Sequence, residues 1–458
     1  MSKNLASIIE PHRHLSKIAI VDRGQEFSYE QVNDRACAIA NGLRLNNIQP
    51  GQSVAIRMSN SIEFITSYFG ILRAGCVAVL INIRLPASVI EYILNDSTPA
   101  LVIDAGNYNS LLVDGPDQMA EVAETDPAVV LYTSGTTSMP KGVVIPHRHK
   151  WAIDQRMYSR FLSIRRTLVG APCYHANGLT NIEVGLAGQS TMVLIQKFDG
   201  PTVIQAINTK RVGSINSVPT VMSMLIRELE SGASQRGTVF VRNITMASAP
   251  MAQTLIADIK RFFPNAYIAN SYGITEVGPG LFIRPEGIIT PDGSVGYAAP
   301  GIDYRLVDGV LQVRSPSMML HYKNQPNPNL TEDGYHNTND LFEVDSDGAY
   351  FFIGRADDMF TNGGNNVYPR AVEQTLEQHS SIREAAVVGL EDELKGQRPY
   401  AFVIAADNFD EQAAIDYMFA TTAASNCPKR IWKLDNFPLD AVNKIDKKQL
   451  KMWAKERI

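Results

Sequence analysis

Between Thr133 and Lys141 the chain sets the hydroxyls of Thr133, Ser134, Thr136 and Thr137 around Gly135, then supplies a single ammonium at Lys141, followed by Gly142. A short apolar run, Val129 to Tyr132, leads into this segment. Backbone and hydroxyl donors converging in a nest, with a lysine as a point charge, are what a di- or triphosphate requires. The loop is not a Walker A loop, because no Gly-x4-Gly-Lys-Ser/Thr string is present. Clusters of Ser, Thr and Gly ordinarily mark simple loops, so the phosphate reading needs partners elsewhere in the chain.

Those partners follow in order. Met246–Met251 reads MASAPM, Asn270–Gly280 reads NSYGITEVGPG, and Tyr335–Asp340 reads YHNTND. Gly354–Glu373 reads GRADDMFTNGGNNVYPRAVE, and Pro438–Leu450 reads PLDAVNKIDKKQL. With the YTSGTTSMPKG loop, these strings resemble the signature motifs of the adenylate-forming superfamily, which holds acyl- and aryl-CoA ligases, luciferases and nonribosomal peptide adenylation domains. The resemblance runs from Phe27-Ser28-Tyr29 to Leu450, nearly the whole chain.

The resemblance implies the site residues. Thr133, Ser134, Gly135, Thr136, Thr137 and Lys141 would hold the phosphates of ATP, Ser248, Ala249 and Pro250 would line the adenine pocket, and Tyr272 with Gly273 would lie beside the base. Thr275 would contact the α-phosphate, and Glu276 would help to hold Mg²⁺, for which a carboxylate is a suitably hard oxygen ligand. Asp340 would accept from both ribose hydroxyls, Arg355 would support the nucleotide, and Asp357 would be the interdomain hinge. Lys444 would be the adenylation lysine. His175, in PCYHANG, matches a gate at the mouth of the acyl pocket, which Val218-Pro219-Thr220 would also border. Gly363 and Gly364 lack Cβ and suit the wall of a narrow pantetheine tunnel.

The implied reaction is attack of a small carboxylic acid on the α-phosphorus of ATP, with pyrophosphate leaving, and transfer of the acyl group from the adenylate to the thiol of CoA. Positioning and charge neutralisation would lower the barrier, with Lys444 acting only in the first half. A second possibility is a stand-alone enzyme loading the phosphopantetheine arm of an acyl carrier protein. A third, of another class, is a non-catalytic nucleotide-binding relative, because three usual glycines are replaced by Ser138, Asn339 and Asn443. Asn visits positive φ more readily than other non-Gly residues, so Asn339 and Asn443 are expected to preserve the backbone. Ser138 is expected at negative φ.

These residues need a frame. From Gln52 the sequence alternates apolar segments (VAIRM, CVAVLI, ALVID) with amphipathic stretches at Ile62 to Arg73 and Ser88 to Leu94, the pattern of βαβ units. Strand-like segments recur at TMVLI, GSINSV, NITMAS and AYIANS, with helical patterns at Val221 to Leu229 and Met251 to Phe263. From about Gly293 to Phe352, short alternating runs between Gly, Pro and Asp predict antiparallel hairpins forming a β-rich rim or small barrel. A helix is expected from Pro369, with Val372 and Leu376 one turn apart, and then the strands EAAVVGL and PYAFVIA. The expected fold is α/β: a large N-terminal domain, residues 1–354, with parallel or mixed sheets and a small β-rich subdomain, hinged to a smaller C-terminal α+β domain, residues 355–458.

Composition agrees with a chain of 458 residues built as more than one domain. A net charge of -5 offers no basic field, so nucleic acid is not an expected partner. Cys37, Cys76, Cys173 and Cys427 lie far apart and read as reduced packing residues. The longest apolar run, near Ala74 to Ile83, is too short to span a bilayer, so a cytoplasmic protein is expected. The residues leave the acid and the oligomeric state open, with a homodimer as the default assembly.

Overall fold

The computed structural model describes residues 2–133, 139–157, 166–196, 199–232, 237–247, 249, 251–285, 288, 290–440 and 444–458, with backbone only at 155–157. Among the described residues the strands form four sheets. The first runs Tyr267–Ser271, Asn243–Ala247, Ser214–Ser217, Arg166–Val169, Thr191–Leu194, Ile18–Asp22 and Gln25–Ser28, parallel except for the last hairpin. The second runs His321–Tyr322, Lys141–Pro146, Pro127–Thr133, Val77–Leu80, Ser53–Ile56 and Leu101–Ile103. Its last four strands are parallel and its first three antiparallel.

The helix expected at Ile62 to Arg73 has those bounds, because Ser61 caps its N-terminus through Phe64 N and positive φ at Gly75 turns the chain after it. The expected amphipathic face is absent: its residues are buried nearly all round, as so apolar a helix requires. One apolar cluster joins this helix to the helix Tyr29–Leu45 and to both sheets. Tyr29 begins that second helix and Ser28 with Gln31 forms its capping box.

The segment expected as a rim or small barrel is an open six-stranded sheet, Phe282–Ile283, Gly296–Ala298, Ala349–Arg355, His336–Val344, Val310–Arg314 and Asp303–Val307, with antiparallel pairing throughout. The strand His336–Val344 bulges against Val310–Arg314: Gln312 faces Asn337 while Val310 faces Leu341. Asn339 lies in that bulge at φ 58°, in the left-handed region, as the glycine replacement predicted. Asn339→Gly should therefore keep the ATP KM within a few-fold and hold or raise stability, whereas Asn339→Ala should cost about 1 kcal/mol, both read by denaturant unfolding.

In the C-terminal sheet, Ile382–Asp392 and Gly396–Ala405 pair antiparallel, with Ile431–Lys433 and the hairpin of Phe360–Asn362 and Asn365–Val367 alongside. Period-2 alternation divides its two faces. Ala385 and Val387 face Val372 and Leu376 of the helix Pro369–Glu377, while Ala386 and Val388 share a cluster with Leu450 and Ala454 of the helix Lys447–Arg457. This sheet docks on the helices Pro219–Glu230 and Gln253–Phe262 through polar contacts. Arg383 donates to both carboxylate oxygens of Glu230 at 2.8 and 3.0 Å, Thr254 Oγ1 donates to the Arg383 carbonyl at 2.8 Å, and Arg227 donates to the Asp435 carbonyl at 2.9 Å.

Candidate active site

Parallel strands deliver their C-terminal ends to one crevice, where ligands of open α/β sheets collect. Tyr272 follows the strand Tyr267–Ser271, Ala249 follows Asn243–Ala247, and Val218 follows Ser214–Ser217. Thr133 ends the strand Pro127–Thr133 and pairs with Lys141, so the two ends of the hydroxyl-rich loop are fixed by a ladder. Ser134, Gly135, Thr136, Thr137, Ser138, Ser248, Pro250 and Asn443 lie outside the described residues.

Asp340 is the centre of a polar cluster. It is 3% exposed, accepts from the Tyr272 hydroxyl at 2.5 Å, and has Arg355 Nη1 at 3.5 Å from its other oxygen. Its cross-strand partner is Arg355, so the sheet register sets this contact. The bulge helps to orient it: Thr338 Oγ1 accepts from Asp340 N at 3.1 Å and donates to the Leu311 carbonyl. Burial pushes the Asp340 carboxyl up to about 6, opposed by the Tyr272 hydrogen bond and the Arg355 and Lys444 charges. The Tyr272 ring packs edge-on to Phe342 at 4.8 Å, and the ring of Phe352 lies stacked at 6.3 Å.

Arg355 also makes a two-pronged pair with Asp357, at 2.7 and 2.9 Å, which holds its guanidinium strongly protonated. Asp357 itself is exposed.

Lys444 enters from the C-terminal sheet side. Asp440 accepts from Lys444 N at 2.9 Å and donates its own N–H to the Lys444 carbonyl at 2.8 Å. Asp446 then caps the helix Lys447–Arg457 by accepting from the N–H groups of Lys448 and Gln449. Burial lowers the Lys444 ammonium, the Asp440 and Asp340 carboxylates oppose that, and Arg355 adds to it. The Lys444 charge also reaches His175, which precedes the helix Ala176–Ala187 as its N-cap. Burial first, then Lys444 and Arg84, pushes His175 down to about 4. His175 is thus a neutral ring at neutral pH, with Nε2 3.4 Å from the Asn82 amide.

A second cluster gathers at Tyr322. Its hydroxyl donates to Glu276 at 2.8 Å, and Lys141 Nζ lies 5.2 Å from its ring centroid. Pairing of His321–Tyr322 with Val144 and Val143 places that ring beside Lys141. Glu276 and Thr275 sit in the tight turn between Ile274 and Gly278, which is closed by the Gly278 N–H on the Ile274 carbonyl. Sequence motifs did not single out Tyr322, and its only local signal is an aromatic in a two-residue strand.

The structure therefore brings together Tyr272, Asp340, Arg355, Asp357, Lys444 and His175, and separately Lys141 and Glu276 through Tyr322. Gly363 and Gly364 are not joined to either group among the described residues. They form the two-residue turn of their hairpin, with φ of 59° and 84°, the conformation of a type I′ turn.

Residues 10–322 match the profile of the AMP-binding enzyme family and residues 371–444 match the AMP-binding enzyme C-terminal domain. The chain belongs to the AMP-binding enzyme family. The 2-succinylbenzoate–CoA ligase of Bacillus cytotoxicus is 26% identical to it over 96% of each chain. A fatty acid–[acyl-carrier-protein] ligase of Streptomyces coeruleorubidus is 27% identical over 94% of this chain and 92% of its own. ATP-bound MatB from Rhodopseudomonas palustris has the same fold, with a TM-score of 0.90 at 24% identity over the whole of both chains. As a family member the enzyme is an AMP-forming acid–thiol ligase, with adenylation preceding thioester formation.

Buried histidines should make this AMP-binding enzyme less stable in acid. His147, 1% exposed, is pushed down to about 4 by burial, like His175. A base with a depressed folded value stays neutral while the unfolded chain takes up a proton, so stability present above about pH 6.5 is lost as pH falls towards 4. For His147 alone this is on the order of 3 kcal/mol. Asp340, with a raised folded value, acts in the opposite sense between about pH 4 and 6. The thermal midpoint should fall from pH 7 to pH 5, and less steeply in His147→Asn, whose Oδ1 replaces the Nδ1 that accepts from Leu5 N.

Proposed function

We propose that the enzyme converts a small carboxylic acid and ATP into an acyl-adenylate at the crevice between the two clusters, and then passes the acyl group to CoA. The observation that carries this is the position of Lys444: a residue of the C-terminal domain lies close enough for its charge to act on Asp340, which is paired with Arg355 in one sheet, and on His175, at the head of the helix Ala176–Ala187. Asp340 accepts from the ribose hydroxyls, and the rings around Tyr272 flank the base. Lys141 neutralises the leaving pyrophosphate, helped by Thr133 and the loop that follows it. Lys444 bridges the substrate carboxylate and the α-phosphate.

No group of three or more His, Cys, Asp or Glu that could hold a metal is found among the described residues. Glu276 fits the alternative way of holding Mg²⁺, one carboxylate plus substrate phosphates. Bound there, the ion would offset charge on the phosphates. Tyr322 orients Glu276 by donating to one of its oxygens and so leaves the carboxylate fixed.

For the second half-reaction the C-terminal domain turns about Asp357 and withdraws Lys444. That turn carries the Gly363-Gly364 hairpin towards the acyl pocket, and the residues beyond Asp357 move as the smaller domain, while Arg355 stays in its strand beside Asp340. Neutral His175 at the pocket mouth shields the adenylate. A carrier-protein thiol is the second reading, favoured by the carrier-protein ligase among the relatives. Supplying acid, ATP and CoA without any carrier protein tests the choice. Acyl-CoA and AMP are expected in equal amounts; thioester appearing only on a phosphopantetheinylated carrier would replace CoA as acceptor. No helix among the described residues is long and apolar enough to cross a membrane.

A further inference from the structure

Each apolar cluster among the described residues lies wholly on one side of Asp357. The two domains share no such cluster, and the contacts on which the smaller one docks are polar. Glu230, the last residue of the helix Pro219–Glu230, is at their centre. Both of its carboxylate oxygens accept from Arg383, and Arg261 of the neighbouring helix donates to it at 2.5 Å. Hydrogen bonding from Arg383 holds the Glu230 carboxyl below its ordinary value. The flanking contacts are weaker in kind: Thr254 donates to the Arg383 carbonyl, and Arg227 donates to the Asp435 carbonyl and to Asn436 Oδ1. Among the described residues, Glu230 with Arg383 is the only ion pair that links the large domain to residues beyond Asp357.

Arg383 is also tied to the segment that bears Lys444. It lies on the strand Ile382–Asp392, whose Ala386 and Val388 pack with Leu450 and Ala454 of the helix Lys447–Arg457. Asp446, two residues after Lys444, caps that helix. A carboxylate of the large domain that fixes this strand therefore also fixes the stretch that presents Lys444.

We propose that Glu230 is a positioning residue for adenylation: by gripping Arg383 it holds the smaller domain where Lys444 meets the nucleotide, and the strength of that grip sets how readily the domain turns for thioester formation. This rests on the adenylation and domain turn proposed above. Arg383 is exposed, and Asp258 and Glu384 also act on its charge, so the grip is modest and water can replace it. Such a contact suits an interface that must open in every turnover. A shared apolar core would have to expose its surface to water each time.

Two rates test this. One is ATP–pyrophosphate exchange with the most active acid of an aliphatic, aromatic and dicarboxylic panel; the other is thioester formation from CoA and the corresponding acyl-adenylate, supplied ready-made. The ratio of the second rate to the first follows the ratio of the two domain placements, whichever of them predominates. Glu230→Gln and Arg383→Gln should each raise that ratio about 3- to 10-fold. The double variant should raise it no further than either single one, because both remove the same contact. Asp292→Asn, which breaks an exposed pair with Lys260 inside the large domain, should leave the ratio unchanged. Circular dichroism reports folding, so that either single variant decides if the other fails to fold. A ratio unmoved in the folded variants, additive effects in the double variant, or an equal rise in Asp292→Asn would overturn the positioning role and leave adenylation standing. Absence of exchange with every acid would sink the adenylation reading and this one with it.

Discussion

Lys444→Ala should lower acid-dependent ATP–pyrophosphate exchange by about 100- to 1,000-fold, the usual cost of removing one preorganised charge from a transition state. Thioester formation from a chemically supplied acyl-adenylate should stay within a few-fold of wild type. The asymmetry follows from the geometry. In this conformation the ammonium is largely buried within electrostatic reach of Asp340, Arg355 and His175, and it gains most when two anionic groups, a carboxylate and an α-phosphate, meet it in a site that excludes water. Once the adenylate has formed, the lysine has no bond left to assist. Equal losses in both half-reactions would contradict a role confined to adenylation.

Asp340→Asn should raise the ATP KM by about 10- to 100-fold while making the unliganded protein more stable at neutral pH. Ribose hydroxyls donate more strongly to a carboxylate than to an amide oxygen, which sets the loss. The gain comes from burial. A carboxyl pushed up to about 6 from the ordinary 3.8 is disfavoured as an anion in the empty fold, and at pH 7 this costs on the order of 3 kcal/mol. The variant keeps an oxygen to accept from Tyr272. Because a raised carboxylate value penalises the fold above about pH 6 and not below about pH 4, the stability difference should shrink as pH falls through that window. Denaturant unfolding at pH 7 and pH 4.5 reads it, and a variant less stable than wild type at pH 7 would reject the electrostatic cause.

Much of this site was legible before any coordinates. Asp340, Arg355 and Lys444 stand in strings whose order survives folding, and Asn339 adopts the positive φ that replacing glycine by asparagine suggested. The bounds of the helix Ile62–Arg73 were readable, because caps are local, but not its burial, since the stretch expected to be amphipathic is enclosed nearly all round. Tyr322 was not readable, since its role arises from pairing with a strand distant in sequence and from a hydrogen bond to Glu276 on another element. Gly363 and Gly364 carry a further lesson: their turn requires positive φ at both positions, so the hairpin alone accounts for their type.

Arg355 touches Asp340 on one side and Asp357 on the other. A buried anion in a moving enzyme faces the danger of losing its counter-charge midway through the motion. If Lys444 swings out as proposed, Asp340 would give up one cation but retain Arg355, which is paired to it across two strands of one sheet. Breaking the pair with Asp357 as the hinge turns would leave the guanidinium more fully available to Asp340. The charge at the nucleotide site would then be balanced in both halves of the proposed cycle, and rotation of the smaller domain would not expose a lone buried carboxylate.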